Sequence, residues 1–170
     1  LDAKSGDGDT GSTLAGAARA LIRAMDRLPL SDHTQLYRAI GQELSQTMGG
    51  SSGVLLAIFF TAAGDGAASG LSMRDALKAG LLRMQEIGGA LVGDRTMIDA
   101  LAPALDALAD GIRAAAKAAR EGANMTAVAA PRPDAPPTSM PNSCLAMLIQ
   151  GRKPWHGCLN MSRASFLRSA

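Results

Sequence analysis

Apolar residues recur along most of this chain at steps of three and four, the period of a helix that buries one face. Between Gly11 and Leu28 they fall at Leu14, Ala18, Leu21, Ile22, Met25 and Leu28, and Pro29 stops the run. Ser31-Asp32 stands where an N-cap belongs; Leu36, Ile40, Leu44 and Met48 then mark a second helix that ends at Gly49-Gly50. Ser51-Ser52-Gly53 reads as a loop leading into Val54–Ala63, which is apolar on nearly every side and is predicted to lie mid-bundle. Ser72 caps a fourth helix running to Ile87, with Asp75 in the first turn, where a carboxylate meets the positive dipole end. Gly88–Gly93 is a glycine-bearing loop, Asp94 is placed to cap the next helix, and Thr96–Ala109 and Ile112–Ala129 read as two more helices. No stretch of this region alternates with a period of two, so the expected fold is all-α, an up-and-down helical bundle.

Composition points the same way. Ala and Gly are abundant and the aromatic residues are few (Tyr37, Phe59, Phe60, Trp155 and Phe166), which suits close-packed helices better than a β-sandwich. The longest uninterrupted apolar run, Val54–Phe60, is far too short to cross a bilayer, and nothing resembles a signal peptide. No membrane partner is expected, and the net charge of +2 does not suggest nucleic acid. Two cysteines, Cys144 and Cys158, are too few for a disulfide scaffold, so the cytoplasm is the default compartment.

The character changes at Pro131. Residues 1–130 carry 12 Lys+Arg against 14 Asp+Glu, a net of −2, whereas residues 131–170 carry five against one, a net of +4, giving the +2 of the chain. Six of the eight prolines, both cysteines and the tryptophan lie in this second segment, which is expected to be irregular. The chain thus divides into two domains: a helical body over 1–130 and an atypical, basic, proline-rich tail over 131–170. It opens at Leu1-Asp2 without an initiator Met, which reads as a fragment whose preceding segment is missing.

Chemistry concentrates at three loops. Asp2, Asp7 and Asp9 are interleaved with Gly6, Gly8 and Gly11 just ahead of the first helix. Glycines let such a loop fold back until its carboxylates converge, and a cation relieves their repulsion; hard oxygen ligands suit Mg²⁺ or Ca²⁺. The helix start beyond them offers free N–H groups to a phosphate. Taken alone, an ordinary Asp/Gly turn explains the string equally well. Gly49–Gly53 is a second Gly/Ser loop, without the Lys of a Walker motif, and Gly88–Met97 is a third. A helix pair separates the first loop from the second and another pair the second from the third, so all three fall at one end of an up-and-down bundle.

Leu-Asp-Ala-Lys-Ser-Gly-Asp-Gly-Asp-Thr-Gly (1–11), Met-Gly-Gly-Ser-Ser-Gly (48–53) and Gly-Asp-Arg-Thr-Met-Ile-Asp (93–99) together resemble the ATP-binding L domain of ATP-dependent dihydroxyacetone (glycerone) kinases, a family related to triokinase/FMN cyclase. The resemblance covers roughly residues 1–130. It implies an eight-helix bundle or barrel, here lacking the first helix and the last, with nucleotide bound at one end. It further implies that Asp2, Asp7 and Asp9 hold Mg²⁺, that Thr10, Gly11, Ser12 and Thr13 together with Ser51 and Ser52 contact the phosphates of ATP or ADP, and that Gly88 and Met97 line the adenine side. Relatives often carry His or Cys where Thr10 stands. Phosphoryl transfer would then go to dihydroxyacetone bound on a separate K domain that this chain does not contain, and a homodimer of the full-length kinase is left open. A non-catalytic nucleotide-binding module and a cyclising FAD-AMP lyase are the alternative functions.

The tail departs from the resemblance. Relatives end with Gly-Arg-Ala-Ser-Tyr and an Asp-Pro-Gly turn, both missing after Ala130. Back-translating 133–138 and 147–152 and reading one base earlier permits both motifs, so a frameshift near Pro131 is the expectation. A fragment of this kind is expected to be marginally stable and inactive as a kinase by itself.

Overall fold

A computed structural model describes residues 10–126, with side-chain surroundings from residue 11 onward. Over these residues the chain forms six α-helices and two short 3-10 turns; among the described residues there is no strand, as the apolar pattern predicts. Helix α1 (Thr10–Ala24) tightens into a 3-10 turn at Met25–Arg27 before Pro29. Helix α2 (His33–Thr47) is capped by Asp32, whose Oδ1 accepts the Gln35 N–H at 3.1 Å.

Helix α3 (Gly50–Ala68) starts earlier than the sequence suggests. Ser51, Ser52 and Gly53 are not a loop; they form its first turn, after a connection of only Met48 and Gly49. So short a connection needs Gly53, because a Cβ there would run into the Met48 carbonyl oxygen. With both ends extended by small residues, α3 has the length and apolar composition of a membrane span, beyond what Val54–Phe60 alone indicates. In the bundle it lies between α2 and α4, buries Phe59 and Ala63, and carries Asp65 in an ion pair with Arg38 at 2.8 Å.

Helix α4 (Met73–Gly88) begins at the expected Ser72 cap, whose Oγ accepts the Asp75 N–H at 3.2 Å and donates to Asp75 Oδ2 at 2.7 Å. It ends where Gly89 turns left-handed at φ +67°. Helix α5 (Ile98–Ala107) closes in a second 3-10 turn (Leu108–Asp110), and α6 (Ile112–Thr126) comes after Gly111.

Successive helices pack antiparallel, and glycines set the closest crossings. Gly41 of α2 faces Ala57 and Thr61 of α3; Gly80 of α4 faces Phe59 and Ala63 of α3; Gly122 of α6 faces Asp99 and Pro103 of α5. Three core clusters result, around Phe59, Leu81, Met84, Ile98 and Leu105, around Ala17, Leu44 and Met48, and around Tyr37, Ala63 and Ala76. Phe60 packs against all three, and meets Phe59 edge-on with ring centroids 4.9 Å apart. Side chains as large as Phe59 or Met84 each contribute about 1.5–3 kcal/mol on leaving water. Apolar surface stays open on the two outermost helices: Leu14, Ile22 and Met25, one stripe of α1 and its turn, and Ile112 and Met125 on α6.

Candidate functional site

One end of the bundle collects the described parts of the segments singled out by sequence. Ala17, in the second turn of α1, packs with Leu44 and Met48 at the far end of α2, so the start of α1 lies beside the α2–α3 connection. Gly88, the last residue of α4, sits against Leu55 in the second turn of α3, with Leu55 Cδ2 3.2 Å from where a Cβ would be. Met97, just before α5, packs against the same core cluster as Leu55 and Leu56. Arg95 Nε donates to the Thr126 carbonyl oxygen at 3.2 Å, bringing this part of α6 to the same side as well.

Within this end, Gly11, Ser12 and Thr13 form the first turn of α1, exposed or half-buried, after its first residue Thr10. Ser51 and Ser52 are half-buried in the first turn of α3, which begins after Gly49 and has no side-chain cap. Two helix starts therefore direct backbone N–H groups and positive dipole ends toward the same end of the molecule. Gly88 is buried and Met97 half-buried. Asp2, Asp7 and Asp9 lie outside the described residues; among the described residues no three His, Cys, Asp or Glu side chains gather as a metal site would require.

The third loop, Gly89–Met97, is built differently from the expectation. Asp94 does not cap α5; it is buried, and its Oδ2 accepts the Leu91 N–H at 2.7 Å within the loop. The capping carboxylate is Asp99, also buried, whose Oδ2 accepts the Thr96 N–H at 2.9 Å while its Oδ1 accepts the Gly93 N–H at 2.5 Å. Thr96 Oγ1 in turn accepts the Ile98 N–H at 3.2 Å. Thr96-Met-Ile-Asp99 thus forms one half of a capping box, the Asp99 side chain reaching back to the Thr96 N–H while the Thr96 hydroxyl takes the Ile98 N–H, and the Thr-x-x-acid spacing is the signal that points to Asp99. Arg95 and Asp99 were not assigned roles from sequence.

The arrangement is an all-α antiparallel bundle with a phosphate-compatible end, and comparison gives its class. The profile of the DAK2 domain family matches residues 4–133, and the chain belongs to that family. Among its relatives, the dihydroxyacetone kinase of Citrobacter freundii is 52% identical over 131 residues, 74% of this chain and 24% of that protein. The human triokinase/FMN cyclase is 41% identical over 105 residues, 59% of this chain and 18% of the relative. The crystal structure of the C. freundii dihydroxyacetone kinase in complex with AMP-PNP and Mg²⁺ superposes with a TM-score of 0.71 at 50% identity, covering 76% of this chain and 25% of that one. The chain therefore spans about a quarter of the length of the C. freundii relative.

Proposed function

We propose that this domain binds Mg-ATP at the end of the bundle where α1 and α3 begin, and supplies the γ-phosphoryl group to dihydroxyacetone held on a separate K domain. The observation that carries the reading is the likeness, at 50% identity, to a kinase structure holding AMP-PNP and Mg²⁺. The residues present fit such a ligand. Three carboxylates, Asp2, Asp7 and Asp9, are the hard oxygen donors that Mg²⁺ prefers, and the metal would neutralise charge developing on the transferred phosphoryl group. The first turns of α1 (Thr10, Gly11, Ser12, Thr13) and α3 (Ser51, Ser52) would bind phosphate oxygens through N–H and hydroxyl groups. Gly88 and Met97 would form the adenine side. In this reading the protein does little covalent chemistry; it positions the nucleotide. A cytoplasmic location, a K-domain partner and a homodimer of the full-length kinase belong to the same proposal.

Calorimetric titration of the chain with Mg-ADP tests it, followed by assay of ATP-dependent phosphorylation of dihydroxyacetone with and without an added K domain. Binding, with turnover only when the K domain is present, is expected; absence of binding sinks the reading. The human relative's second activity motivates one alternative, cyclisation of FAD. Release of AMP and cyclic FMN from FAD by the chain, with no phosphorylation of dihydroxyacetone, would favour it. Binding with neither activity would favour a non-catalytic module.

A further inference from the structure

The loop between Gly88 and Met97 is held more tightly than a connection of its length requires. Arg95 sits at φ +59°, the only non-glycine residue with positive φ among those described. That region crowds a Cβ against the backbone, so such a conformation persists where the surroundings over-determine it, and it is common at functional sites. Here the surroundings do so. The Asp99 carboxylate takes the N–H groups of Gly93 and Thr96, one on each side of Arg95, and Asp94 takes that of Leu91.

The outcome of this clamping is the direction of one side chain. Arg95 reaches across to α6, where Nε donates to the Thr126 carbonyl. Helix α6 comes near enough because Gly122 has no Cβ to strike the Asp99 carbonyl oxygen. We infer that Arg95 is a positioning residue, which acts through the loop by tying it to α6 and so fixes the Gly88 and Met97 wall against the base of the nucleotide. The inference rests on the nucleotide reading of this end.

The test uses the full chain carrying Arg95→Ala or Arg95→Gly, titrated with Mg-ADP. Glycine accepts the positive φ without strain, so that variant removes the guanidinium while easing the backbone, and it keeps the fold. Both variants are expected to bind about tenfold more weakly, the scale of one lost hydrogen bond from a charged donor. Added ethylguanidinium is expected to restore affinity to the glycine variant, a response that a purely structural role for the backbone would not give. The inference is overturned if the glycine variant binds within about twofold of wild type, or if its loss is indifferent to ethylguanidinium. Wild type failing to bind Mg-ADP removes the nucleotide reading as well; wild type binding with unaffected variants removes only the role of Arg95.

Discussion

Replacing Gly80 by alanine asks whether the close approach of α3 and α4 sets the stability of the bundle. A Cβ at residue 80 would press on the Phe59 carbonyl oxygen and lie 3.3 Å from Ala63 Cβ. The first obstacle is mid-helix backbone and cannot rotate away. Because α3 also packs against α2, relief requires α3 and α4 to part, which loosens the cluster of Phe59, Leu81 and Met84. Overpacking of this kind costs about 1–3 kcal/mol, while exchanging Gly for Ala inside a helix gains about 1 kcal/mol. With backbone in the way the upper part of that range applies, leaving a net loss of about 1–2 kcal/mol. Gly16 is the control: it lies inside α1 and a Cβ there meets nothing within 4 Å. The same exchange at Gly16 is expected to stabilise by about 0.5–1 kcal/mol. Since both variants add one methyl group to a helix, their difference of about 1.5–3 kcal/mol isolates the packing term. Urea denaturation followed by far-UV circular dichroism measures it, provided the m-values agree. A Gly80→Ala protein as stable as wild type, alongside the expected gain at Gly16, would refute the reasoning, because the two helices could then separate without cost.

The loop and the surface charges give two further expected outcomes. In Asp99→Asn one amide oxygen must serve the N–H groups of both Gly93 and Thr96, leaving one donor facing an NH₂ group; a buried unsatisfied donor costs about 1–3 kcal/mol. A lower urea midpoint and faster hydrogen exchange at Gly93 and Thr96 are expected, and unchanged exchange would mean the carboxylate does not hold the loop. The Asp106 carboxyl is held below its ordinary value of 3.8 by its hydrogen bond from Lys78 and by the charges of Lys78 and Arg74. A carboxyl lowered in the folded state stabilises above its unfolded pKa, and that contribution is lost as pH falls through the folded value. The advantage of wild type over Asp106→Asn should thus be small, because Asp106 is exposed, steady near neutrality, and shrinking in acid and in salt. An advantage that grows on acidification would contradict it.

Local rules explain which parts of the fold were legible. Asp32 and Ser72 mark helix starts because a short side chain satisfies a nearby N–H, a signal complete within four residues. The start of α3 was not legible, since Gly-Gly-Ser-Ser-Gly is loop-like in composition. Its helical state depends on the tight fit of Gly53 against Met48, a contact across the turn. The third loop was half legible: its glycines announced a turn, but choosing Asp94 over Asp99 as the cap missed the Thr-x-x-acid spacing. Nothing in the identity of Arg95 signals a left-handed backbone, because that state is imposed by the carboxylates around it.

These particulars bear on why packing and the nucleotide end are not separable in this domain. Two glycines that mark loops in the sequence also govern helix approach, Gly53 admitting the Met48 carbonyl and Gly88 admitting Leu55, and Gly122 within α6 admits the Asp99 carbonyl. The first contact closes the α2–α3 connection, and the other two each join a pair of segments at the candidate site. A side chain at any of them would shift a helix end rather than merely a surface loop, and a helix end is where the proposed phosphate donors lie. Interiors this closely packed transmit such shifts instead of absorbing them. Substitutions that widen these approaches should therefore weaken nucleotide binding even at positions that touch no nucleotide.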